Sequence, residues 1–340
     1  MRVTVLMGGT SSERDVSLAS GIRVTEALRE CGHEVTPVDP ARGPISRDEQ
    51  QKLLSGVIVQ TAPPSTDELR RLAREALPRL ITTLPKQGET DVVFIGLHGG
   101  SGEDGTIQSL LDLTGVPYTG SGHLPSALAM DKDLTKRLFR HSGVTTADWL
   151  MAPVSVETVR AELGFPVIVK PSKQGSTVGL SIVKQPADLQ RAIDEAYEFD
   201  DEVMVERFIA GRELTVGILG DQSLPAGEII PKHEIYDYEC KYTAGMADER
   251  FPAELSSAEA RRIQTEALNA FRALKLGGCA RIDFRMAKDG TFYCLEANTL
   301  PGMTQFSLIP QAAKSAGIPF PELCDRIVQL ALESRGAGRP

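Results

Sequence analysis

The sequence predicts a chain of mixed α/β and α+β class divided into three units, on three observations. Residues 2–39 alternate an apolar strand run, a helix closed by Gly32 and a second strand, the order that builds a parallel sheet. Residues 166–208 hold short strands around a small-residue loop, "SKQGSTVG". Residues 280–298 read as a β-hairpin, preceded by a strongly amphipathic helix. At 340 residues the chain favours several domains over one, and boundaries near 129 and 208 give units 1–129, 130–208 and 209–340.

Taken in order, "RVTVLMGG" is a buried strand ending in two glycines, "SSERDVSLASGIRVTEALRECG" a loop and helix, and "HEVTPVD" the second strand. Residues 41–90 carry one helix, within "PPSTDELRRLAREALPRL", capped by Ser65 or Thr66 with Asp67 and Glu68 in its first turn. The rest of that stretch reads as a surface excursion. "TDVVFIGLHGG" is a strong strand ending at His98-Gly99-Gly100; "EDGTIQSLLDLTG" is a helix and "VPYTGSG" a short strand and turn. "DKDLTKRLFRHSGV" is helical, "FPVIVKP" a strand ending on Lys170, "LSIVK" a strand, "PADLQRAIDEAYEFD" a helix and "EVMVERFI" a strand. "RELTVGILG" opens the last unit. Residues 229–255 show no clear period, and so long a stretch in a compact protein is usually functional. "SSAEARRIQTEALNAFRALKLGG" is a helix closed by glycine, and "FPELCDRIVQLALES" the last helix.

Composition excludes some functions. Hydrophobic residues make up 41% and charged residues 24%, an ordinary globular balance. The formal charge of -9 and a pI of about 5.2 argue against a nucleic-acid partner. Five cysteines, an odd number with no CxxC pair, suit a reducing compartment. The apolar run at the N-terminus is too short for a signal peptide, and no window reaches the ~18 apolar residues of a membrane span. The expectation is a soluble cytoplasmic protein with no membrane partner.

The hairpin carries chemistry. "KDG" marks a tight turn. With a two-residue turn at Asp289-Gly290, Asp283 falls opposite Glu296, and Arg281 opposite Asn298. A three-residue loop would shift that register by one. Opposed residues share a face, and two facing carboxylates repel unless a cation lies between them. Asp283, Glu296 and Asn298 offer only oxygen, the donor type that Mg²⁺ takes. Arg281, on the same face, is placed to steady phosphate oxygens. One such residue alone reads as a solvated polar group; four at matching register read as a metal and phosphate site.

In the middle unit, Lys170 alone reads as a lysine snorkelling to water. The loop after it, with Gly175, Ser176 and Thr177, offers backbone N–H groups and hydroxyls suited to covering phosphates. The P-loop pattern is absent. Lys132 is a second candidate cation, although Asp131 and Asp133 beside it make a surface charge the plainer reading. Glu206 and Glu213 offer carboxylates for an adenine amino group and ribose hydroxyls, or are ordinary surface acids.

Together these residues resemble the D-alanine–D-alanine ligase family of the ATP-grasp superfamily. The motifs are "GGTSSERDVSLASG", "LHGGSGEDGTIQSLLDLTGVPYTGSG", "ALAMDK", "FPVIVKPSKQGSTVG", "YDYECKY", "RIDF" and "LEANTLPGMTQFSLIP", in one order over nearly the whole chain. The resemblance implies a three-domain ATP-grasp architecture: an N-terminal Rossmann-like unit, then two subdomains that clamp ATP. It implies that ATP phosphorylates a first D-alanine and that a second D-alanine attacks the acylphosphate, giving the dipeptide for peptidoglycan. It also implies Mg²⁺ or Mn²⁺, two ions, and a homodimer.

Carried over by position, Lys132 and Lys170 are similar to the phosphate-contacting lysines, Glu206 and Ile209 to the adenine contacts and Glu213 to the ribose contact. Lys241 would reach the terminal phosphates from a lid over about 232–250. Asp283, Glu296 and Asn298 match the metal ligands, and Arg281 the arginine at the transferred phosphate. Glu13 and His98 match first-substrate residues; Gly302, Ser307 and Leu308 match the second carboxylate site. Glu13, Ser176 and Tyr242 match a hydrogen-bonded triad that closes the lid. Arg207 stands where the family often has lysine, with little effect expected, and residues 41–90 match poorly. The rival readings are a D-alanine–D-lactate or D-alanine–D-serine ligase, of which Tyr242 argues against the depsipeptide-forming first, and a non-catalytic ATP-binding regulator, against which the full site argues.

Overall fold

The coordinates are a computed structural model that describes residues 1–56, 84–236 and 245–336, with 59, 69, 71, 72, 74 and 240. Most of the helix expected within 63–80, including Ser65, Thr66, Asp67 and Glu68, lies outside the described residues, as do Lys241 and Tyr242.

The first sheet runs β3-β2-β1-β4. Strand β1 (Arg2–Leu6) leads through α1 (Arg14–Glu30) to β2 (Glu34–Asp39), β3 (Gly43–Pro44), α2 (Arg47–Ser55) and β4 (Val92–Ile95). β1 lies parallel to β2 and β4, as the strand–helix–strand order predicts. Residues Val3 to Leu6 of β1 are all buried, because both faces of a parallel sheet are covered. Val3 and Val5 pack with Val24 and Leu28 of α1, while Leu6 packs with Ile107 and Leu111 of α3 (Thr106–Thr114). The expected strand in "VPYTGSG" is a single bridge from Tyr118 to Val93. Two helices before residue 131 escaped the sequence reading. α2 has a full capping box between Ser46 and Glu49, a pattern visible in the sequence. α4 (His123–Met130) has a glycine N-cap with no side-chain hydrogen bond and so no capping signal.

The second sheet, β5-β8-β6-β7, is antiparallel throughout. It follows α5 (Lys132–His141) and comprises β5 (Trp149–Met151), α6 (Val156–Glu162), β6 (Val167–Pro171), β7 (Ser181–Val183), α7 (Leu189–Tyr197) and β8 (Val203–Arg207). β5 and α6 were unassigned in the sequence.

The third sheet has six strands: β9 (Gly211–Leu219), β10 (Gln222–Ser223), β11 (Gly227–Pro231), β12 (Ala247–Arg250), β13 (Cys279–Ala287) and β14 (Phe292–Asn298). β11 and β12 pair antiparallel, so the stretch read as unpatterned is strand at both edges. α8 (Ser257–Ala273) packs Ile263, Ala267 and Phe271 under this sheet. It does not end on the expected glycine: Lys275 takes the left-handed conformation, at φ 56°. α9 (Leu308–Ser315) and α10 (Phe320–Gly336) follow. α10 returns to the first sheet, where Leu323, Ile327 and Val328 share a core with Val3 and Val5.

The β13–β14 turn also differs from expectation. Ala287 and Thr291 close it, so its loop is three residues, Lys288 to Gly290. Near the turn the register is accordingly shifted by one, with Phe284 opposite Cys294. A bulge between Asp283 and Phe284 then restores Asp283 opposite Glu296 and Arg281 opposite Asn298.

Candidate functional site

The site is built on the face of the third sheet that α8 does not cover. Alternation sends Leu214, Val216, Ala280, Ile282 and Phe284 into the core. Glu213, Thr215, Arg281, Asp283 and Arg285 therefore share the opposite face. Asp283 is its centre. Its carboxylate accepts from the Thr215 hydroxyl at 2.7 Å, from Arg281 Nε at 2.9 Å and Nη2 at 2.8 Å, and from the Asn298 amide at 2.9 Å. Burial alone would lower the Arg281 pKa, but the Asp283 carboxylate outweighs it and holds the guanidinium charged. Arg285 pairs with Glu213 at 3.1 Å.

The second sheet and α5 supply cations. Asp131 caps α5 by accepting from the Leu134 N–H at 3.0 Å, which places Lys132 at the first helical position. Lys132 is buried, not a surface charge; its Nζ donates to the Gln174 carbonyl at 2.6 Å and stands 3.6 Å from Glu296. Lys170 Nζ donates to Glu206 at 2.7 Å, and Lys136 donates to the other oxygen of that carboxylate. Burial would push Glu206 up, but the two ammonium groups bring it down to about 2. Glu206 is thus a buried anion, not a surface acid.

The loop after β6 is held in a costly shape. Ser176 and Thr177 both have positive φ, 52° and 64°. Contacts secure them: Ser176 donates to Glu13, and Thr177 to the Tyr236 carbonyl at 3.0 Å. Glu13, at the N-terminus of α1, is thereby joined to a loop 163 positions away.

His98 is buried, with Nδ1 2.8 Å from the Leu300 carbonyl and Nε2 3.0 Å from the Ser20 hydroxyl. A carbonyl only accepts, so Nδ1 carries the proton and Nε2 accepts from Ser20. Burial keeps the ring's pKa below the ordinary range, hence neutral. Glu103 ties the first sheet's loop to the segment after β14, accepting from the N–H groups of Gly99 at 3.2 Å, Thr299 at 3.1 Å and Leu300 at 3.2 Å.

α9 seats against β9 because Gly217 has no side chain: a Cβ there would lie 2.7 Å from Ile309 Cδ1. This brings Ser307, the N-cap, and Leu308 to the cavity wall with the free N–H groups of the helix start. Gly302 faces Ser307, where a Cβ would stand 2.8 Å from Oγ.

Two cavities result. One, about 130 Å³, is bounded by Glu13, His98, Glu103, Asn298, Gly302, Ser307 and Leu308. The other, about 140 Å³, is bounded by Ile168, Lys170, Glu206, Phe208, Ile209, Glu213 and Asp283. Lys132, Ser176, Tyr236, Arg281 and Glu296 line both. The described site residues of the sequence reading all lie on these walls. Glu103, Lys136, Tyr236 and Thr215 were missed. Glu103 and Tyr236 stand inside quoted motifs, and Lys136 lies one turn after Lys132 on α5; Thr215 left no signal, since only the β9–β13 register brings it to Asp283.

Residues 2–121 match the family described as D-ala D-ala ligase N-terminus, and residues 133–329 that described as D-ala D-ala ligase C-terminus. The D-alanine–D-alanine ligase of Geobacter sulfurreducens is 44% identical over 343 residues, 99% of this chain and 97% of that one. The crystal structure of D-alanine–D-alanine ligase from Bacillus anthracis complexed with ATP superposes with a TM-score of 0.75 at 30% identity, covering 100% of both chains. VanG D-Ala:D-Ser ligase from Enterococcus faecalis superposes with a TM-score of 0.78 at 28% identity, covering 97% of this chain and 99% of that one. With both halves of the family matched and near-complete coverage of its relatives, the chain belongs to the D-alanine–D-alanine ligase family, on the ATP-grasp fold.

Proposed function

We propose that this chain joins two D-alanines into D-alanyl-D-alanine at the expense of ATP, in peptidoglycan synthesis. The observation that carries the reading is the junction of the two cavities at Lys132, Ser176, Arg281 and Glu296. A nucleotide in the cavity of Glu206 and Glu213 directs its terminal phosphate at that junction; there it meets the carboxylate of the first D-alanine, whose ammonium donates to Glu13 in the cavity that His98 lines. The carboxylate oxygen attacks the γ-phosphorus, the bond to the β-phosphate oxygen breaks, and ADP leaves. The amine of the second D-alanine, its carboxylate on Ser307 and the Leu308 end of α9, then attacks the acyl carbon. Inorganic phosphate departs, and the amine's surplus proton is released. The chain's work is positioning and charge neutralisation, by Arg281 and by Lys132 and Lys170. Glu13, Ser176 and Tyr242 are read as the lid triad, with Lys241 on the lid.

Asp283, Glu296 and Asn298 fit a hard divalent cation: all three offer oxygen, and two are opposed carboxylates on one face. We assign them as the ligands of Mg²⁺ or Mn²⁺, with two ions. Bound there, the metal would neutralise phosphate charge. Among the described residues no helix is long and apolar enough to cross a membrane, and Cys31, Cys279, Cys294 and Cys324 are free thiols; a cytoplasmic setting is part of the same proposal. The same reading keeps the boundaries at 129 and 208 and takes a homodimer as the assembly. Product identification after incubation with ATP, Mg²⁺ and D-alanine tests it; absence of D-alanine-dependent phosphate release would overturn it.

A further inference from the structure

We propose that Lys136, which lines neither cavity, is a positioning residue for nucleobase selection: it holds Glu206 as an oriented anion that accepts from a purine 6-amino group and rejects a 6-carbonyl. The inference rests on the reading of Glu206 as the base contact.

The Lys136 side chain is completely buried. An ammonium so placed is stable only when its donors are matched. It donates to Glu206 Oε1 and to the Thr146 hydroxyl, the latter at 2.6 Å. The Thr146 hydroxyl in turn donates to the Cys294 carbonyl at 2.7 Å. Its proton is therefore committed, and its lone pair faces Lys136. The ring of Trp149, the chain's one tryptophan, lies 5.2 Å from Nζ and adds a cation–π contact. Lys136 thus cannot swing toward the cavity, and the carboxylate bound to it is fixed in rotation.

Lys170 occupies the other oxygen, but it also lines the nucleotide cavity and is drawn toward phosphates there. If Lys170 alone balanced Glu206, nucleotide binding would strand a buried charge. Lys136 keeps the carboxylate ionised while Lys170 turns to the ligand. A carboxylate has about four lone-pair positions, so two stay open after both lysines are bound. Beside Ile168, Phe208 and Ile209 they face an apolar slot. An amino group donates to them; a carbonyl places oxygen against oxygen.

The test compares kcat/KM for ATP and ITP in wild type, Lys136→Met, Glu206→Gln and the double variant. Glu206→Gln is expected to lower the ATP/ITP preference about tenfold or more. Lys136→Met should move it the same way, with the loss in KM for ATP rather than in kcat, and a KM that rises as pH falls from 8 to 6. The double variant should lose no more than Glu206→Gln alone. A Lys136→Met enzyme that keeps the wild-type preference, while Glu206→Gln loses it, overturns the role of Lys136. A Glu206→Gln enzyme that keeps the preference overturns instead the base-contact reading beneath it. If Lys136→Met does not fold, Thr146→Val decides: a reduced preference supports the proposal and an unchanged one refutes it.

Discussion

Gly302→Ala tests the acceptor end of the site through one contact. A Cβ at Gly302 would stand 2.8 Å from Ser307 Oγ and 3.4 Å from its Cβ, so the hydroxyl has to rotate away. That hydroxyl now accepts from the Thr304 N–H at 3.0 Å and is bonded to the Thr304 hydroxyl at 2.9 Å. Rotation breaks both, at about 0.5–1.5 kcal/mol each, or about 1–3 kcal/mol together. At 1.4 kcal/mol per tenfold, this corresponds to roughly five- to hundredfold in affinity. Ser307 and the start of α9 are assigned to the second carboxylate, so the loss should fall on KM for the second D-alanine, with KM for ATP unchanged. Initial rates over a wide D-alanine range resolve the two amino-acid constants. A variant with its second-substrate constant intact, or one in which ATP and D-alanine weaken together, would refute the assignment.

Other outcomes follow from the same geometry. Asp283→Asn or Glu296→Gln should cut turnover by about a hundredfold or more with the far-ultraviolet circular dichroism unchanged; full activity with Mg²⁺ as the sole metal would remove both from the ligand set. Tyr242→Phe is expected to raise use of D-lactate relative to D-alanine as acceptor, and an unchanged ratio counts against the lid triad. Glu103 is pushed up to about 7 from an ordinary 4.5, by burial first and then by the charge of Glu13. Between those values the unfolded chain releases a proton that the folded chain keeps. Stability is therefore full below 4.5 and falls as pH rises to 7, by roughly 3 kcal/mol at 1.36 kcal/mol per unit. Glu103→Gln should flatten that part of the Tm profile; parallel profiles for the two proteins from pH 5 to 7.5 would show that Glu103 is ionised in the fold.

Local pattern carried most of the fold. β1, β2 and β4 were legible because buried parallel strands are short apolar runs ended by glycine or polar residues, and α8 because its apolar face repeats with helical period. β5 and α6 were not, since a three-residue strand has no period to read. The return of α10 to the first sheet was equally out of reach, because a helix shows that it has an apolar face but not which sheet covers it. Lys275 shows the same limit at smaller scale. The C-terminal turn of α8 takes a left-handed residue, and glycine two places on is the obvious candidate, yet that residue is Lys275.

The hairpin shows how a correct site can come from an incorrect turn. A two-residue loop was assumed, and the loop has three residues. Carried unchanged along β14, the register at the turn would have put Leu295 opposite Asp283 and turned Glu296 away from it, since a one-residue slip exchanges the faces of a strand. The bulge absorbs the extra residue. Two constraints conflict here. The core under α8 needs Phe284 and Cys294 inward near the turn, and the site needs Asp283 and Glu296 outward at the strand end. Only a local irregularity satisfies both, which is why bulges gather beside active sites. The opposed carboxylates were readable because their chemistry demands that they share a face, and the chain bends its own ladder to keep them there.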